Sequence, residues 1–299
     1  MFIIHTVKRF VQFLHRKGQK NDNNDNNNDN RCDSREVKPT DQNSSTKTKK
    51  TKQRALLIGN NYPNSSCPLN GCVNDVNDMR EFLIATKGWS AADIEVKTEA
   101  TKIAMVQGLC GLALTSWTHG LDIVYIHFSG HGTQVADKNG DETNDGLDEA
   151  LCPSDYETSG MVTDDFLNSV ICSGFNPRTK VRAVFDACHS GSCLDLPYTC
   201  DGKFQPVLNP KAKKESYVAD VQLLSGCRDA QTSADTTFNM RPAGALTNSL
   251  LRVLRAKPNA TALQVLNSVH ALLAADNESQ FPLLSGTRFI APSTSDAFI

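Results

Sequence analysis

DIVYIHFSGHG (residues 122–132) and VRAVFDACHSGS (residues 181–192) decide how this chain folds. Each begins as a short apolar run rich in β-branched and aromatic residues, which reads as a strand buried on both faces. Each ends in small and polar residues: Ser129-Gly130-His131-Gly132 in the first, Asp186-Ala187-Cys188-His189-Ser190-Gly191 in the second. Similar strands are predicted at ALLIG (55–59), DIEVKT (93–98) and VQLLSG (221–226). Between them VNDVNDMREFLIATKG (73–88), TKIAMVQGLCGLALTSW (101–117) and TDDFLNSVICSG (163–174) read as helices, with Gly88 and Gly174 closing two of them. This alternation predicts an α/β fold, a mostly parallel central sheet with helices on both faces. Ligands in such sheets sit beyond the carboxyl ends of the strands, where both polar bursts fall.

If the two strands are neighbours, His131 and Cys188 emerge side by side. A cysteine nucleophile needs that placement: the imidazole takes the thiol proton and later gives it to a leaving amine. Glycines beside both residues let a substrate backbone approach, and the Gly132 and Cys188 amides are candidates for an oxyanion hole. A lone Cys or His is usually structural, but two strand-end clusters 57 residues apart match the His-to-Cys separation of caspase-type peptidases. Ser190 and Ser192 form no G-x-S-x-G elbow, which argues against a serine hydrolase. His189 adjoins Cys188 and would point away from it, and Cys193 lies off the strand end.

These blocks resemble the caspase–hemoglobinase clan, and the sequence around them is similar to a type I metacaspase. NGCVND (70–75), DGLDEALCPSD (145–155), VTDDFL (162–167), SCLDLPY (192–198) and SGCRDAQTSAD (225–235) support this, so the resemblance spans about 54–290. It implies a caspase-like fold, calcium-stimulated activity, and cleavage of peptides and proteins after Arg or Lys rather than Asp. The caspase QAC-x-G signature is absent, Asp-Ala-Cys-His-Ser-Gly standing in its place. A pocket for a basic side chain needs carboxylates, because an unpaired buried cation is strongly disfavoured. Asp186 lies two residues before the nucleophile and so belongs at the site. The resemblance adds Cys72, Asp75 and Ser129 as the other walls of the S1 pocket, although a carboxylate such as Asp75 also stabilises a helix N-terminus by itself.

Calcium requires several oxygen ligands, mostly carboxylates. Asp137, Asn139, Asp141, Thr143, Asp145 and Asp148 fall at EF-hand ligand spacing, but Glu142 replaces the turn glycine and Asp148 the final Glu. The preferred set is Asp148, Asp164, Asp165 and Asp195, which match the family's calcium-site acids through GLDE, TDD and CLDLP. The ion's expected role is to order the loop after Cys188, activating without entering the chemistry. Asp164 and Asp165 would otherwise serve as a helix cap.

Three zones are read along the chain: a basic amphipathic segment (1–20), a polar linker (21–53) and the peptidase-like body (54–299). The first 53 residues hold 12 Lys/Arg against 6 Asp/Glu, which leaves 19 against 27 for the body and an overall charge of −2. Residues 1–20 carry Ile3, Val7, Phe10, Val11 and Leu14 near one helical face and no acid. That fits an organelle-targeting or membrane-surface helix, and equally a pro-segment packed on the body. Residues 21–30 are all Asn or Asp, so the linker is expected to be disordered. The later linker lysines have no interleaved aromatics, so nucleic-acid binding is not expected. No apolar run has transmembrane length. Ten cysteines without a C-x-x-C pair argue against zinc ribbons and thioredoxin-type sites and for free thiols in a reducing, cytoplasmic setting. The connection 199–217 exposes Lys211, Lys213 and Lys214 as self-cleavage candidates, and linker lysines 47–52 offer the same chance. The expected molecule is a monomeric, autoprocessing endopeptidase. Its rivals are a catalytically silent caspase-like scaffold that binds partners through the basic arm, and an Asp-specific peptidase, which would need arginines in the pocket.

Overall fold

In the computed structural model, residues 50–136, 147–188, 193–202, 207–208, 217–226, 235–238, 241–291 and 296–299 are described. The basic segment 1–20, almost all of the linker, loop residues 137–146, His189, Ser190, Ser192 and Lys211, Lys213 and Lys214 lie outside them. Residues from Lys52 onward make one unit. In chain order its elements are β1 (Gln53–Gly59), α1 (Cys72–Ala85), β2 (Ile94–Thr98), α2 (Lys102–His119), β3 (Ile123–Ser129), β4 (Gly132–Ala136) and β5 (Leu147–Leu151). There follow α3 (Tyr156–Ser159), β6 (Val162–Thr163), α4 (Asp164–Ile171), β7 (Lys180–Asp186), β8 (Tyr198–Cys200), β9 (Val207–Leu208), β10 (Asp220–Ser225), β11 (Asp235–Phe238) and β12 (Arg241–Gly244). The chain continues through α5 (Ala245–Ala256), α6 (Ala262–Ala275) and β13 (Leu283–Gly286).

All five expected strands form, and all five enter one eight-stranded sheet in the order β2-β1-β3-β7-β10-β13-β8-β9. The first five run parallel, as their continuous apolar runs require. The remaining three join antiparallel, an end of the sheet that the apolar runs do not announce. Alternate residues of the parallel strands serve opposite faces. Ala55, Leu57, Tyr125, Val184 and Leu224 pack with α1, α5 and α6 in the main core. Leu56 points the other way, onto α2, where a Cβ at Gly108 would come within 3.1 Å of it. Two small sheets complete the fold, β4-β5-β6 and β11-β12. Among the described residues no helix is long and apolar enough to cross a membrane.

The helices start where their caps dictate. Thr101 Oγ1 accepts from the Ala104 amide at the head of α2, and Thr261 with Gln264 builds a capping box on α6. Their ends differ from expectation. Gly88 and Gly174 each lie three residues past a helix end, and the glycines that do close helices are Gly120, left-handed at φ 61° after His119, and Gly160 at φ 70° after the short α3.

Strand register aligns the polar residues. Gly59, Ser129 and Asp186 sit level across β1, β3 and β7. The first polar burst of the sequence therefore begins directly beside the second.

Core and cap contributions are separable by mutation. Leu57→Ala, in a fully buried side chain, should cost about 2–5 kcal/mol. Thr261→Ala should cost about 1 kcal/mol through the lost cap. Urea unfolding monitored by circular dichroism gives both values.

Candidate active site

Parallel pairing of β3 with β7 continues past the strand ends, where the Gly130 amide donates to the Asp186 carbonyl at 3.2 Å. His131 and Cys188 thus leave adjacent strands at one level, both half-exposed. The glycines around His131 are space requirements. A Cβ at Gly132, where β4 begins opposite Leu151, would overlap the Cys188 carbonyl oxygen. One at Gly130 would lie 2.6 Å from the Tyr62 hydroxyl. The backbones of the two oxyanion candidates, Gly132 and Cys188, are therefore in contact.

The imidazole is held on several sides. Its Nε2 lies 2.6 Å from the Cys67 carbonyl oxygen. A carbonyl only accepts, so Nε2 carries the hydrogen, and Nδ1 is the nitrogen left to take up a proton. The ring stacks on Tyr62 with centroids 4.7 Å apart and planes 29° apart. Its own backbone N–H donates to the Tyr62 hydroxyl at 3.0 Å. The neighbouring Cys152 is buried, and that burial together with the charge of Cys188 pushes its thiol up to about 12, so it stays protonated and inert.

Three of the four expected pocket residues, Asp75, Ser129 and Asp186, come together. Asp75 is buried in the first turn of α1, with Cys72 one turn earlier on the same helix. Its carboxylate accepts from Ser129 Oγ at 2.6 Å and from the Gly244 amide at 3.0 and 3.1 Å. Asp186 Oδ2 accepts from both the amide and the hydroxyl of Thr247, each at 2.8 Å. Gly244 sits between the two carboxylates: a side chain there would overlap Asp186 Oδ2 and approach Asp75 Oδ2 to 2.8 Å. Two buried carboxylates in low dielectric attract a cation strongly. Behind them His127 lies between Tyr125 Oη at 3.2 Å and Thr247 Oγ1 at 3.3 Å. Burial lowers its pKa to about 3, so it is a neutral spacer rather than a second base.

Sequence reasoning missed Gly244, Thr247, Tyr62, His127 and the Cys67 carbonyl. For Gly244, Thr247 and Cys67 the working group includes a backbone amide or carbonyl, which no residue type advertises.

The acids expected to bind calcium divide. Asp148 in β5, Asp164 at the head of α4 and Asp195 are 4, 1 and 1 % exposed. Burial first, then the charges of Asp195, Asp148 and Glu149, push the Asp164 carboxyl up to about 8. These acids therefore sense one another, and Glu149, absent from the expected set, joins them. Asp165 is half-buried and reaches Asp164 through its backbone N–H, at 2.6 Å from Oδ1. As the side chains stand, no three His, Cys, Asp or Glu residues among those described take up a coordinating arrangement. The donor chemistry, buried hard oxygens in mutual repulsion, nonetheless suits a calcium ion. The EF-hand loop lies almost wholly outside the described residues, and it is flanked by the antiparallel strands β4 and β5 where that motif has two helices.

Comparison with known proteins agrees with this geometry. The family described as "Metacaspase, peptidase C14 domain" matches residues 53–197. Metacaspase-1B of Aspergillus oryzae is 32 % identical over 286 residues, covering 78 % of this chain and 67 % of that protein. Metacaspase-1 of Scheffersomyces stipitis is 32 % identical over 288 residues, covering 78 % of this chain and 70 % of its own. The chain thus spans about two thirds of the length of these relatives. Among solved structures, protein GSU0716 from Geobacter sulfurreducens superposes over 82 % of this chain and 97 % of its own with a TM-score of 0.58 at 24 % identity. By sequence and by fold, this chain belongs to the metacaspase family of cysteine peptidases and has a caspase-like α/β architecture.

Proposed function

We propose that this cysteine peptidase is an endopeptidase that cleaves after Arg or Lys through a Cys188–His131 dyad, is activated by calcium and processes itself. The observation that supports the specificity is the convergence of Asp75 and Asp186 on Gly244, Asp186 standing two residues before Cys188. A guanidinium or ammonium entering there exchanges water for two carboxylates, whereas an aspartate side chain would meet like charge.

In the proposed reaction, His131 Nδ1 takes the thiol proton and Cys188 Sγ attacks the scissile carbonyl carbon. The oxyanion forms against the Gly132 and Cys188 amides, whose donors need no reorganisation during the step. Collapse breaks the C–N bond, and the imidazolium gives its proton to the departing amine, leaving a thioester on Cys188. Water, losing a proton to His131, then attacks the thioester, and the carboxylic acid product leaves as the thiol is restored. The Cys67 carbonyl holds the Nε2 hydrogen throughout, which fixes the tautomer that both half-reactions need.

Asp148, Asp164 and Asp195 are the residues that would hold calcium, with Glu149 at the edge of the set; the ion would neutralise their repulsion and fix the segment after Cys188 in place. Asp195 follows the nucleophile by only seven residues, which couples the acids to the site. The expected substrates are peptides and proteins with a basic residue before the cleaved bond, and the expected state is a monomer acting in the cytoplasm.

Fluorogenic peptides ending in Arg, Lys or Asp, each with and without calcium, test the specificity. Turnover is expected for Arg and Lys only, and Cys188→Ala and His131→Ala should abolish it. Asp75→Asn should lower kcat/KM for basic peptides by about a hundredfold, since one partner of a buried charge pair is lost. Turnover of the Asp peptide alone would overturn the pocket assignment, and no turnover at all would favour the scaffold reading.

Calcium binding has a stability signature with a fixed sign. Asp164 ionises near 8 in the folded chain and at 3.8 ordinarily, so the unfolded chain loses this proton first. The group's stabilisation is complete below the ordinary value and is lost as pH rises toward 8. Calcium should therefore raise Tm more at pH 8.5 than at pH 5.5, as the carboxylate set becomes fully charged. The double variant D148N/D195N should lose both the shift and the calcium stimulation.

Autoprocessing is read on a gel. With calcium, the active chain should yield fragments cut near Lys211, Lys213 or Lys214 that Cys188→Ala does not. Identical band patterns would exclude self-cleavage.

A further inference from the structure

Tyr62 is a buried aromatic residue, 2 % exposed, whose backbone takes the left-handed conformation at φ 52°. A bulky non-glycine residue there is strained, and such strain persists only where the surroundings over-determine it. Here the Glu99 carboxylate fixes the conformation by accepting from the Asn61 amide at 2.7 Å and the Tyr62 amide at 3.0 Å.

What the strained residue does is visible in its partners. His131 and Cys152 face each other at the extension of the β4–β5 ladder, and the Cys152 amide donates to the His131 carbonyl at 3.0 Å. The reciprocal bond is replaced by the Tyr62 hydroxyl. It accepts from the His131 amide at 3.0 Å and donates to the Cys152 carbonyl at 2.6 Å. Burial drives the phenol far above its usual range, so this bridge persists at every working pH. The ring of Tyr62 lies flat against the imidazole. The Tyr62 carbonyl accepts from Ser65 N and Oγ, each at 3.0 Å, and Ser65 Oγ accepts from the Cys67 amide at 3.2 Å. That turn presents the Cys67 carbonyl to Nε2.

We propose that Tyr62 is the positioning residue of His131, setting its backbone height through the hydroxyl, its ring plane through stacking, and its tautomer through the turn that carries Cys67. The proposal rests on the Cys188–His131 reading above. It assigns Tyr62 no contact with substrate; its effect is on the geometry of proton transfer, where small displacements cost rate steeply.

The test compares Tyr62→Phe, which keeps the ring and loses the bridge, with Tyr62→Leu, which loses both, and with His131→Ala. Steady-state turnover of an Arg peptide with calcium gives kcat and KM. Iodoacetamide labelling of Cys188 across pH, quantified by peptide mass mapping, reports thiolate formation independently of substrate. Circular dichroism gives the folded fraction. Tyr62→Phe should lower kcat about tenfold at unchanged KM and move the labelling inflection of Cys188 toward higher pH, and Tyr62→Leu should lower kcat about a hundredfold. A Tyr62→Phe enzyme with unaltered kcat and labelling profile overturns the proposal, as does a loss that merely tracks the unfolded fraction. Turnover retained by His131→Ala would instead remove the dyad reading on which the proposal stands.

Discussion

One register determines this site: Ser129 on β3 lies opposite Asp186 on β7. Strand pairing has a period of two residues, so a slip of one would turn each inward side chain to the opposite face. Buried apolar faces on both sides of the sheet forbid that slip, because Tyr125 and Val184 would leave one core and Val124 and Ala183 the other. The apolar interior thus fixes, residue by residue, which polar group follows the last apolar one. Cys188, His131 and Asp186 inherit their positions from hydrocarbon packing.

A second constraint is volume. Three glycines mark places where another atom already occupies the position of a side chain: the Tyr62 hydroxyl at Gly130, the Cys188 carbonyl at Gly132 and the paired carboxylates at Gly244. Each is a close approach between segments distant in sequence. The site is therefore assembled by exclusion of side chains as much as by their presence, with the polar groups secured afterwards by amide and hydroxyl donors.

How much of this was legible in the sequence depends on what a residue type can signal. Strand ends were legible because apolar runs stop abruptly at Ser129 and Asp186, and Asp186 by its place two residues before Cys188; Asp75 was named only through the family resemblance, since a carboxylate also suits a helix N-terminus. The antiparallel end of the sheet was not, since the short strands there carry no mark of direction. Helix α6 was not read from the sequence, although Thr261 with Gln264 at the start of an apolar run has the spacing of a capping box. The roles of Gly244 and Cys67 lie in backbone groups that every residue but proline shares, and Tyr62 looks like any aromatic after a strand until its φ and partners are known.

The pocket's donors also impose an order in time. Cys188 leaves the ribosome well before Gly244 and Thr247, whose amides secure Asp75 and Asp186. A nascent chain that has emerged just past Cys188 therefore has both carboxylates without the amides that secure them. Synthesis thus separates the appearance of the two carboxylates from that of their donors, and the cluster is complete only once β12 and the head of α5 have been made.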